Sequence, residues 1–132
     1  MSKDKLYIFD TTLRDGAQTE GVDFSVSDKN KIAKILSKIG VDYVEGGWPG
    51  ANPVDTEFFD NSPDLGSTKF TAFGMTKKNG ISADNDPNLS PLVNANCKTV
   101  CVVGKTWDFQ VKIALGIKND ENLKNIKETA RH

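Results

Sequence analysis

Apolar residues recur along the chain in short blocks that alternate between two periods. Leu6-Tyr7-Ile8-Phe9 is a continuous apolar run and predicts a buried first strand. A polar loop runs to about Val26. Ile32, Ile35, Leu36 and Ile39 then fall at helical spacing, with Ser25 or Ser27 placed to cap and Gly40 to stop the helix. Lys29, Lys31, Lys34 and Lys38 are assigned to its solvated side. Val41 to Glu45 predicts a second strand, reached after a single glycine. A strand–helix–strand unit with so short a return implies a parallel sheet with a right-handed crossover.

The same alternation continues. After the loop Gly46 to Asn52, rich in residues that set special backbone angles, Asn52 as cap and Pro53 at the first helical position start a short helix carrying Phe58 and Phe59. Lys69 to Gly74 reads as a third strand. Pro87 and Pro91 restrict the next helix to a short stretch around Leu89 to Asn94. Thr99 to Val103, β-branched and continuous, is the fourth strand. Helical segments over Trp107 to Leu115 and Asn119 to Arg131 complete the pattern, the last with a thin stripe of Leu123, Ile126 and Ala130.

Four β/α units are half of what a (β/α)8 barrel requires, which is eight strands in about 250 residues. The predicted fold is therefore α/β: a partial (β/α)8 TIM barrel, about the first four units, with parallel strands. Residues 1–132 read as the N-terminal half of a barrel catalytic domain, with no second domain. Four parallel strands would leave two edges open. That state points to a fragment of a longer enzyme or to a half-barrel that self-associates.

Composition narrows the function. With 132 residues, 37% hydrophobic, 27% charged and a net charge of −1, the chain is an ordinary globular domain with no general attraction to nucleic acid. No apolar run approaches the roughly 20 residues of a membrane span, and the N-terminus does not read as a signal peptide. The expected location is cytoplasmic. Cys97 and Cys101, four apart in extended chain, would be separated by roughly 13 Å, too far for a disulfide. Buried free thiols are expected. Gly104-Lys105-Thr106 lacks the earlier glycine of a phosphate-binding loop, because position 99 is threonine. The single histidine, His132, excludes Ser-His-Asp and Cys-His arrangements within the chain.

The chemistry concentrates at Asp10-Thr11-Thr12-Leu13-Arg14-Asp15-Gly16-Ala17-Gln18, at the exit of the first strand. In a parallel barrel, active sites lie at the carboxyl ends of the strands. Asp15 is a hard oxygen donor for a divalent cation, and Arg14 suits a carboxylate or a developing oxyanion. A structural Arg-Asp pair closing the loop is the competing reading. On a strand, however, adjacent side chains point to opposite faces, which makes a mutual salt bridge awkward. Glu45, at the end of the second strand, is aimed at the same place or is an exposed carboxylate paired with a lysine. Gln18 either bonds a ligand carboxylate or caps the loop. Trp48 either walls a pocket or packs on the rim, with packing the expectation, and Lys105 is more readily a solvated side chain than a site group.

Asp10 to Gly16 resembles the opening signature of the Claisen-condensing and lyase TIM-barrel metalloenzymes, which include isopropylmalate, homocitrate and citramalate synthases. Arg14-Asp15-Gly16-Ala17-Gln18-Thr19-Glu20-Gly21, Val41 to Pro53, Asp55 to Phe59, Ser90-Pro91-Leu92 and Gly104 to Asp108 are most similar to the citramalate synthase branch. The resemblance implies an acyltransferase that condenses acetyl-CoA with pyruvate to (R)-citramalate and CoA, on a route to isoleucine. It implies a divalent metal ion (Mg, Mn or Zn) on Asp15, Arg14 as the catalytic arginine, and substrate contacts from Arg14, Gln18 and Glu45. A homodimeric parent enzyme is also implied. The paired histidine ligands of that family have no counterpart in these 132 residues, so the chain by itself is expected to be inactive. An isopropylmalate synthase-type fragment and a non-catalytic self-associating half-barrel are the alternatives.

Overall fold

A computed structural model describes residues 4–132. Its strands are β1 (Phe9–Asp10), β2 (Tyr43–Gly47), β3 (Lys69–Met75) and β4 (Thr99–Val103), in the sheet order β1-β2-β3-β4. β1 runs parallel to β2, and β2 parallel to β3. Sequential parallel neighbours joined through helices are the half-barrel arrangement that the alternating pattern predicts. The helices are α1 (Val26–Lys38), α2 (Pro53–Asp60), α3 (Leu89–Val93), α4 (Asp108–Gln110) and α5 (Asn119–Arg131). The chain divides into two compact units, residues 1–73 with 95–101 and residues 74–94 with 102–132.

In the first unit, Val44 lies opposite Phe70, and the register slips between Glu45 and Gly47 so that Gly47 faces Ala72. The core is aromatic: the Phe58 and Phe59 rings lie 5.0 and 4.6 Å from the ring of Phe70. Gly46 passes directly over this cluster, where a Cβ would fall 2.3 Å from Phe70, so no larger residue fits without displacing a ring. As its cap-and-proline signal predicts, α2 begins with the Asn52 side chain accepting from the Asp55 amide at 2.8 Å and with Pro53 in the first turn.

Of the two candidate caps for α1, Ser25 is the one used, in a reciprocal capping box with Asp28. Hydrogen bonds from the Ser25 hydroxyl and backbone amide hold the Asp28 carboxyl below its ordinary value of 3.8. Its contribution to folding is therefore present above 3.8 and lost as the pH falls through the depressed folded-state value. Far-UV circular dichroism in an acid titration should show α1 loosening over that window, and Asp28→Asn should remove that part of the pH dependence.

Three expectations are corrected here. The first strand is shorter than residues 6–9, and Leu6, Tyr7, Ile8 and Phe9 are exposed rather than buried, because β1 is the end strand of the sheet and pairs on one side only. In α1 the residues that bury are Lys29 and Ala33, while Ile35 and Ile39 stand exposed. Lys29 is thus on the inner face, away from the solvated side assigned to it. The two thiols are free, as expected, but only partly buried.

In the second unit, Leu92 of α3 seats on Gly74, where a Cβ would fall 2.1 Å from it. Buried Asp86 accepts from the amides of Lys78, Asn88 and Leu89, which fixes the start of α3. α4 continues into a π-helical turn over Val111–Leu115, ended by Gly116 at φ +65°. The fully buried positions of α5 are polar, with Asn122 donating to the Lys105 carbonyl at 2.8 Å and Asn125 to Asn79 at 3.0 Å; of the predicted apolar stripe, Ile126 packs against Gly104 while Leu123 and Ala130 are exposed. Lys105 is half-buried, and its backbone carbonyl is the acceptor for Asn122.

Candidate active site

The segment after β1 leaves the strand and curls. Asp10 accepts from the amide and hydroxyl of Thr12, and the amides of Arg14, Asp15 and Gly16 all donate to the Thr11 carbonyl at 2.8–3.2 Å. This turn removes the strand alternation that made an Arg14–Asp15 bridge awkward. The guanidinium Nη1 donates to Asp15 Oδ1 at 2.9 Å. Its Nε donates to Glu45 Oε2 at 2.7 Å. The third side of Arg14 lies over the ring of Phe73, 4.2 Å from its centroid.

Arg14, Asp15 and Glu45 thus converge on one place, in the first unit, from two strands. Their environments differ sharply. Glu45 is 1% exposed, a carboxylate that would be costly to bury without the charge-assisted bond from Arg14. The Asp15 side chain is 60% exposed, and that of Arg14 21%. Arg14 is therefore held on three sides, and its remaining N–H groups have no partner among the described residues, which leaves them for a ligand oxygen. Gln18 does not join this cluster. It closes a single 3-10 turn with its amide bonded to the Asp15 carbonyl, and its side chain is exposed. Trp48 packs edge-on against Phe73, 5.6 Å between centroids, as a rim residue.

Four neighbours of the site carried no signal strong enough to be singled out from the sequence. Phe73 supplies the stacking surface. Lys29 and Asp55 form a buried ion pair beside Glu45. The sign that was present for Lys29 is its spacing: with Ala33 at i+4 and Leu36 at i+7, it belongs to the inner stripe of α1. Cys101, on β4, lies within reach of the Glu45 charge. Burial pushes its thiol up, and the Glu45 charge and hydrogen bond add to that, with Arg14 opposing. Glu45→Gln removes the charge and should speed alkylation of Cys101 by iodoacetamide at neutral pH, with Cys97, raised chiefly by burial, unchanged. Mass spectrometry of the two cysteine peptides gives both rates in one sample.

Of the two carboxylates on Arg14, only that of Asp15 is exposed enough to offer an oxygen to a divalent cation. No group of three His, Cys, Asp or Glu side chains is placed to hold a metal among the described residues. One carboxylate is a partial ligand set.

Arg14, Asp15 and Glu45 therefore sit together at the ends of parallel strands, where a guanidinium can meet an oxyanion. The chain belongs to the HMGL-like family, whose sequence profile matches residues 5–132. It is 46% identical over 134 residues to the (R)-citramalate synthase of Geobacter sulfurreducens, covering 100% of this chain and 25% of the relative. The (R)-citramalate synthase of Aquifex aeolicus is 44% identical over 131 residues, covering 98% and 25%. The 2-isopropylmalate synthase 1 of Caldanaerobacter subterraneus is more distant, 37% identical, covering 100% and 32%. The chain spans about a quarter of the length of these citramalate synthases. Its fold matches the crystal structure of hydroxymethylglutaryl-CoA lyase from Pseudomonas aeruginosa at a TM-score of 0.70 and 21% identity, covering 96% of this chain and 42% of that one. No helix among the described residues is long and apolar enough to cross a membrane.

Proposed function

We propose that the chain is the keto-acid half of a citramalate synthase active site: the N-terminal half of a barrel domain whose whole converts acetyl-CoA, pyruvate and water to (R)-citramalate and free CoA. The observation that carries this reading is the Arg14–Glu45 bond at 2.7 Å, which fixes a guanidinium at the strand ends. The greater identity to citramalate synthases than to isopropylmalate synthases favours pyruvate over a bulkier 2-oxo acid.

Arg14 binds the keto acid through its free N–H groups. As the acetyl carbon attacks the keto carbon, negative charge grows on the former carbonyl oxygen, and a donor that needs no reorganisation lowers that barrier. Glu45 holds Arg14 in place and keeps its Nε occupied. Asp15 flanks the guanidinium and offers one oxygen ligand to a divalent ion, which would supply polarisation of the ketone when bound. Gln18, at the exposed end of the turn, is available to a substrate carboxylate.

The test uses the two arginines of the sequence, Arg14 and Arg131, and follows their Nε–H signals in a 15N-labelled chain. Pyruvate should move the Arg14 signal saturably and leave Arg131 alone, and a bulkier 2-oxo acid should move it less. An Arg14 signal indifferent to pyruvate would refute the reading. In a coupled assay the 132-residue chain should release no CoA from acetyl-CoA and pyruvate.

A further inference from the structure

Lys29 is 3% exposed, on the inner face of α1, and its ammonium has no role in the chemistry above. Its three donors meet three acceptors: the Leu13 carbonyl at 2.9 Å, the Gly46 carbonyl at 2.9 Å, and the Asp55 carboxylate. Leu13 immediately precedes Arg14, and Gly46 immediately follows Glu45. One cation therefore ties the backbone beside each member of the Arg14–Glu45 pair, two residues 31 apart in sequence. Asp55 is fixed in turn, because Oδ2 accepts from the Trp48 amide at 2.9 Å and from Asn52 Nδ2 at 3.0 Å. Gly47, where a Cβ would fall 2.5 Å from that carboxylate, leaves the room it needs.

We infer that Lys29, locked by Asp55, is a positioning residue that sets the spacing of Arg14 and Glu45. This rests on the keto-acid reading of that pair. A buried ion pair gains little over well-packed apolar residues, so its benefit here is geometric. The two carbonyls it draws together belong to the β1 exit and to β2, and a point charge with three rotatable donors joins them where an apolar side chain would let them drift.

The experiment reads hydrogen exchange at Arg14 Nε–H in the 15N-labelled 132-residue chain, with Arg131 as internal reference. In the wild type the Arg14 signal is protected by Glu45. In Lys29→Met, in Asp55→Asn and in the charge-free double variant Lys29→Met/Asp55→Leu, its exchange should quicken by about tenfold or more, the factor expected when one charge-assisted hydrogen bond is lost. Exposed Lys31→Met should leave it unchanged. Circular dichroism reports whether each variant is folded, and the double variant avoids leaving either charge buried alone. Unchanged Arg14 protection in any folded Lys29 or Asp55 variant would overturn the inference. Loss of fold in all three would make the pair a requirement of folding instead, and would overturn it equally. A wild-type chain that ignores pyruvate but shows the exchange pattern would remove the keto-acid reading while leaving the positioning intact, so the two failures are distinguishable.

Discussion

Lys29→Met lowers the stability of the chain by about 3–5 kcal/mol, the loss measured when one partner of a buried ion pair is deleted. The substitution keeps nearly the same length and apolar stem, so packing changes little. What remains is the Asp55 carboxylate, part of a residue 8% exposed, without its cation, and the Leu13 and Gly46 carbonyls without their donor. The Lys29→Met/Asp55→Leu variant removes the stranded charge but leaves the two carbonyls and the Trp48 amide unpaired, at about 1–3 kcal/mol for each group that stays dry. It should therefore be less destabilised than the sum of the two single variants. Urea unfolding of the wild type, Lys29→Met, Asp55→Leu and the double variant forms a double-mutant cycle, and strict additivity would show that Lys29 and Asp55 act independently.

Phe58→Ala should cost a similar amount, about 3–5 kcal/mol, by a different route. Phe58 is fully buried and touches the rings of Phe59 and Phe70, while Gly46 runs against its edge. Removing the ring opens a cavity under β2 that neighbouring aromatic side chains, held in one rotamer by each other, fill poorly. The urea midpoint should fall by roughly 1–3 M. Because the Lys29 ammonium lies 5.8 Å from the Phe58 ring centroid, the cavity would also admit water beside the ion pair. Exchange at Arg14 Nε–H should quicken along with global unfolding, and a midpoint unchanged in Phe58→Ala would show that the aromatic cluster does not carry the first unit.

The sequence by itself determined the alternation of strands and helices, the parallel neighbours, the Asn52–Pro53 start of α2 and the bounds of β4 and α5, and it offered the meeting of Glu45 with Arg14 as one of two readings. Each of these follows from local signals: period, cap chemistry, or the rule that strand ends in a barrel face one bowl. Tertiary structure decided the rest. Lys29 reads as one of four solvated lysines, because a helix pattern shows which residues share a face and not that Asp55, 26 positions away, supplies a buried counter-charge. On the polar inner face of α5 the Asn122 and Asn125 amide nitrogens donate to a carbonyl and an amide oxygen from distant loops, which no periodicity displays. Leu6 to Phe9 are apolar yet exposed, since burial depends on what lies across the edge of β1 and not on the run itself. Arg14 and Asp15 bond each other because the chain turns at Thr11, where the pleat that would have parted them has already ended.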